Sequence, residues 1–322
     1  MAALAGLVPL LGAGVAPTPL LVSTRSWILY VDGDVRHGAS AGPRATGYRL
    51  LSTLSDGSVL LSFAENGFTT VESISPSLEP REINRLPQNV ASMVGPADDG
   101  FVAYDAAGGL LRRYDLRGFP TGSPAAAIGG VSDAIGVGDT TVAIGGGRLS
   151  GWDRGGRLRH QAIVDASGLT ALANGRFAVI SAAQREVRVY TSSFDLVATL
   201  RFPAARPPRF VAGGPDGSLA VLIGTPSCLR TDAEVDVFDD VAAAQPRVRI
   251  HDAMTSAVAL AITRDVVYVV NAGGSEDPPS PGGCRDDGSI AVFGRDGMAR
   301  GVLRGVGSPT AVAPLAAPAH VP

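Results

Sequence analysis

The chain has 322 residues, of which 45% are hydrophobic, 18% charged and 6% aromatic, and glycine (41) with proline (23) fills about one position in five. Such an apolar content excludes a disordered chain, and the glycine and proline lack the fixed period of collagen. A net charge of −3, with arginine as the sole basic residue type, leaves no basic field for a phosphate backbone, so no nucleic-acid partner is expected.

The first 22 residues, MAALAGLVPLLGAGVAPTPLLV, carry no charge and read as an apolar export signal or a disordered N-terminal segment. A single domain is expected over 23–316, followed by a Pro/Ala-rich tail over 317–322. Pro9 and Pro17 oppose a spanning helix, and no other stretch approaches the roughly 18 apolar residues a span requires. The expectation is therefore an extracytoplasmic monomer (periplasmic, secreted or at the cell surface) with no transmembrane span in the mature chain.

Beyond this segment, short β-rich runs alternate with tight turns. Asp56-Gly57 precedes SVLLSF, Asp99-Gly100 precedes FVAY, Asn174-Gly175 precedes RFAVI and Asp216-Gly217 precedes SLAVLI. These dipeptides tolerate the positive φ values that two-residue hairpin turns require. A second series follows, an alternating run ending in an aromatic and then a polar turn: LLRRYDLRG at Tyr114, RLSGWDRGG at Trp152, EVRVYTSSF at Tyr190, EVDVFDD at Phe238 and SIAVFGRDG at Phe293. Alternation at period two is the signature of strands. The aromatics are 38, 38, 48 and 55 residues apart, a blade-sized repeat with no helix-length segment inside it.

The spacing predicts an all-β, seven-bladed β-propeller of four-stranded blades, with six blades as the alternative. Innermost strands are expected to begin at Tyr48, Ala91, Val131, Ala166, Pro208 and Ser256. A last strand, TAVAPLA from Thr310, lacks partners of its own. It would complete a blade begun by LLVST and SWILYVDGDV, so that the N- and C-terminal strands share the closing blade.

The text of the sixth unit is the most specific. VVYVVNAGG (266–274), SIAVF (289–293) and VGSPTAVAP (306–314) resemble the YVTN repeat, and the strand–Asp-Gly–strand hairpins of earlier units resemble NHL propellers. Units three and five depart from the pattern, with Gly145-Gly146-Gly147 and Gly224 where Asn271 stands in unit six. The resemblance implies the bacterial propeller superfamily that includes lactonases. It implies a scaffold rather than an activity.

In an up-and-down blade, the loop between strands two and three emerges on the same face as the connection to the next blade. Two insertions fall on that face, 225–236 and 272–289, and long loops on regular scaffolds are where function is carried. Each holds one cysteine, Cys228 and Cys284, and a disulfide between them is expected in an exported protein. Asp232 and Glu234 make the first insertion acidic. In the second, Glu276, Asp277, Asp286 and Asp287 are candidate ligands for Ca²⁺ or another divalent cation, the one cofactor the sequence suggests.

At the mouth of the channel on this face, the first residues of innermost strands are Arg49, Ser92, Ser167 and Arg209, with Asp133 in the third unit. Two arginines and an aspartate suit a carboxylate or sugar-acid ligand. Glu65, Asp105 and Asn271 end second strands on the same face. Of the histidines, His37, His160 and His320 have no partner pattern, whereas His251, beside Asp252, lies in a connection on the inserted face. The expected function is a ligand-binding or protein-interaction module, with the protein or small-molecule partner unidentified. The alternative is a metal-dependent, lactonase-like hydrolase built from Asp133, Asn271, Glu65 and Asp105 at the channel.

Overall fold

The computed structural model describes residues 19–24, 28–32, 35–39, 46–127, 129–225, 233–243, 245–251, 256–272 and 288–315. The described residues form 28 strands and one short 3₁₀ turn, Val241–Ala243. No helix is long and apolar enough to cross a membrane.

The strands run as antiparallel quartets, each starting at the centre and stepping outward. The first quartet covers residues 46–87, the second 93–126, the third 133–163, the fourth 166–201, the fifth 208–250 and the sixth 257–304. The last strand, Pro309–Pro314, pairs antiparallel with Leu20–Thr24, which continues through Ile28–Asp32 to Val35–Ala39. Leu20 lies opposite Pro314 and Val22 opposite Val312, and all three of Leu20, Leu21 and Val22 are fully buried. The first strand thus begins inside the apolar 1–22 segment. Innermost strands touch their neighbours all the way round, so the ring closes on itself.

Hydrogen bonding corrects the blade count. Seven separate four-stranded blades are expected from the spacing, with six as the alternative; the structure has five separate four-stranded sheets and one sheet of eight strands. The second and third quartets make up the wide sheet, joined by a parallel contact between Gly136 and Ala97 on their innermost strands. The cause is a pair of glycines. A Cβ on Gly95 would stand 1.7 Å from the Ala134 carbonyl oxygen, and one on Gly136 would stand 2.5 Å from the Ala97 methyl. Only with both side chains missing do the two strands approach to bonding distance.

The core lies between quartets rather than in one centre. Second strands are buried on both faces over most of their length, as VLLSFAE, LAVLI and VVYVVN show, because each quartet is sandwiched by two others. The repeated aromatics Tyr114, Trp152, Tyr190, Phe238 and Phe293 are all buried near the ends of third strands. Outer strands are largely solvent-facing, as the fourth strand of the first quartet illustrates.

Candidate functional site

The connections between quartets and the loops between second and third strands share one face. There, several innermost strands carry an extra residue. The pairing with the second strand shifts between Ala166 and Gly168, between Pro208 and Phe210, and between Ala257 and Ala259. Such bulges leave one residue unpaired and turn its side chain out of the ladder. The bulged residues include Ser167 and Arg209, both exposed.

Arg209 is the freest cation of this set, its Nη2 lying 3.5 Å from Thr225 Oγ1 at the edge of the first insertion. Arg49 is not free. Its Nη2 donates to Asp133 Oδ1 at 2.7 Å. The pair links the innermost strands of the first and third quartets, which flank the second in the ring. Burial pushes the Asp133 carboxyl above its ordinary range, against the pull of the Arg49 guanidinium. The sequence-predicted Arg49 and Asp133 are therefore brought together as each other's partners.

Other expected mouth residues serve the backbone. Ser92 Oγ donates to the Tyr104 carbonyl at 2.9 Å and Ser132 Oγ to that of Ile144 at 3.2 Å, which saturates the ends of second strands. Asn271 is buried. Its Oδ1 accepts the Ser256 N–H at 3.3 Å, and its Nδ2 donates to Ser289 Oγ at 3.4 Å. Asp105 Oδ1 caps its own turn through the Gly108 N–H. Glu65 ends its strand near Glu72, which burial and the neighbouring Glu82 and Glu65 hold above the usual carboxylate range. Among the described residues no three His, Cys, Asp or Glu side chains gather where a metal ion could sit. The hydrolase alternative is thus without support, since three of its four residues are engaged elsewhere.

A second group forms where the fourth and fifth quartets meet on this face. Glu234 and Asp236 are alternate residues on the strand Glu234–Phe238, so they share the side of the buried Phe238 and are 3% and 4% exposed. Glu234 Oε2 is 2.7 Å from Arg206 Nη1, contributed by the connection between the quartets, and 2.9 Å from His251 Nδ1. The expected His251 is therefore an exposed partner of a buried carboxylate, while Asp252 lies outside the described residues. Arg206, Asp236 and Arg249 were not singled out by sequence. The signal for Asp236 was the parity of E-V-D-V-F, which puts both acids on the aromatic's side; the two arginines had none.

On the opposite face, arginines tie quartets together. Arg113, itself buried, donates to Asp99 at 2.5 Å and to the Gly138 carbonyl at 2.6 Å. Arg295 reaches Ser218 Oγ at 2.8 Å, the Thr263 carbonyl at 3.0 Å and Asp239. These side chains are consumed in joining neighbours. The expected disulfide residues Cys228 and Cys284 and the expected cation ligands Glu276, Asp277, Asp286 and Asp287 lie outside the described residues, as does His320, and of His37 only the backbone is described.

No protein-family model matches the chain, and no curated protein matches it. Solved structures do. Kluyveromyces lactis Hsv2 is 13% identical with a TM-score of 0.55, covering 86% of this chain and 89% of its own. Saccharomyces cerevisiae Sqt1 is 10% identical with a TM-score of 0.56, covering 89% and 83%. The WD40 β-propeller domain of Doa1 is 11% identical with a TM-score of 0.57, covering 86% and 90%. At these identities the likeness establishes a β-propeller fold and nothing finer. The YVTN and NHL likeness remains confined to the text of residues 266–314 and the Asp-Gly hairpins.

Proposed function

We propose that the chain is a binding and interaction propeller of YVTN/NHL type whose working face carries the inter-quartet connections. The observation that carries this reading is the exposed Arg209 on its bulge, on the face that also carries the Arg49–Asp133 bridge. An arginine with no carboxylate partner among the described residues, sharing a face with one whose partner is partly exposed, suits a carboxylate-bearing ligand. The two insertions, 225–236 and 272–289, would extend the contact outward. Propellers commonly serve protein interaction, which agrees with a partner bearing an acidic side chain or C-terminus. The apolar segment 1–22, and one cysteine in each insertion, support an extracytoplasmic setting.

The test is thermal melting with glucuronate, and in parallel with a blocked Asp-Glu dipeptide, on the wild-type chain and the Arg209→Ala variant. Saturation at 100 times the dissociation constant adds about 2.7 kcal/mol. The expected result is a rise of several degrees with at least one probe and its loss in the variant. A rise confined to glucuronate marks a sugar acid, and one confined to the dipeptide marks an acidic peptide. No rise, or an equal rise in Arg209→Ala, overturns the site.

A further inference from the structure

We propose that the seam between the fourth and fifth quartets is a proton-operated clasp, closed when Asp236 is protonated and loosened when Asp236 and Glu234 are both charged. The geometry comes first. Val221 and Ile223 on the second strand lie opposite Asp236 and Glu234, and they pack with Val187 and Val189 of the fourth quartet and with Phe202 just beyond its last strand. Two carboxylates therefore point into an apolar contact between quartets. Glu234 has two basic neighbours there, Arg206 and His251. Asp236 is served worse: among the described residues its buried Oδ1 has no hydrogen-bond partner, and the nearest cation, Arg249 Nε on the adjoining strand, is 3.6 Å away.

The charged groups facing Asp236 are thus Glu234 on its own strand, Arg249 on the outer strand, His251 just beyond that strand and Arg206 on the preceding connection. The second strand and the fourth quartet present apolar side chains. Arg230 and Asp232 of the first insertion lie outside the described residues. Burial, and then the Glu234 carboxylate, push Asp236 up to about 6. A carboxyl raised in the folded state is stabilising while protonated, and that stability drains away as pH climbs from the ordinary aspartate range to the raised value. Protonation of Asp236 therefore closes the seam in acid. Because the first insertion leaves from the same strand pair, the clasp sets how firmly one edge of the proposed working face is held.

The experiment is amide hydrogen exchange, corrected for intrinsic rate, on peptides spanning 219–223 and 234–238. With a carboxyl that titrates near 6 when closed and near 3.8 when open, protection should fall roughly 4-fold between pH 5.5 and 7.5 and about 25-fold between pH 4.5 and 7.5. Peptides covering 59–65 in the first quartet, away from this seam, should change less. In Asp236→Asn, which keeps the shape of the protonated acid, the pH dependence should vanish. An unchanged dependence in that variant, or protection that rises with pH, overturns the clasp. Should the variant not fold, carboxyl ¹³C titration of the wild-type protein decides, since an Asp236 titrating in the ordinary aspartate range is equally fatal. None of these readouts depends on the carboxylate-binding test, so either idea can fail alone.

Discussion

Phe194 shows how one residue can oppose its own backbone preference and still be retained. The turns between third and fourth strands share one hydrogen-bond pattern, and its penultimate residue has positive φ: Leu78 at 66°, Gly118 at 83°, Gly156 at 75°, Phe194 at 67° and Gly297 at 82°. Three of these are glycine, which adopts this region freely. Phe194 gives up about 1–2 kcal/mol there. Its ring offsets the loss by stacking on His160 at 4.3 Å and meeting Phe177 edge-on at 5.2 Å. The ring occupies the space left empty by Gly151, where an added Cβ would lie 2.0 Å from two ring carbons. Gly151→Ala should therefore cost about 1–3 kcal/mol, in the range of an overpacked core. In a Phe194→Ala background the same substitution should cost little, because the ring it strikes is gone. Denaturant unfolding of the four proteins in this cycle measures the coupling, and an equal cost in both backgrounds would refute the contact.

At the scale of strands and sheets, sequence was informative wherever local chemistry fixed local structure. Asp56-Gly57, Asp99-Gly100, Asn174-Gly175 and Asp216-Gly217 all lie in first hairpins, and innermost strands begin within two residues of the positions read from them. The aromatics of third strands were legible for the same reason, since strand parity and a following polar turn are both local. Partnerships between units were not. Nothing in MVGPA or DAIGV announces that Gly95 and Gly136 face another quartet, because the meaning of a missing Cβ depends on what approaches it. The separate-blade expectation failed at that point. The same blindness hid the Arg49–Asp133 bridge, whose members are 84 positions apart. It concealed Asp236 less completely, since strand parity with Phe238 pointed inward. Only the identity of the neighbouring cations needed the fold.

For the whole molecule the deciding contact is the one between its ends. Without Pro309–Pro314 against Leu20–Thr24, two sheet edges would face solvent and the ring would be open. The closure includes more than the ladder: Leu315 N–H donates to the Pro19 carbonyl at 2.8 Å, and Ser23 Oγ meets Thr310 Oγ1 at 2.9 Å. Leu20, Leu21 and Val22 are each fully buried. Burial of side chains of this size is worth about 1.5–3 kcal/mol apiece. Together the three match the lower part of the roughly 5–15 kcal/mol by which domains are stable. A chain starting at Pro19 should therefore fold as a monomer with a single melting transition. One starting at Ser23, where the apolar segment would otherwise end, should melt far lower or associate through its exposed edges. Light scattering coupled to size exclusion, with a melt of each chain, distinguishes the two. Equal melting points and equal masses would mean that the N-terminal strand is dispensable and that closure rests on other contacts.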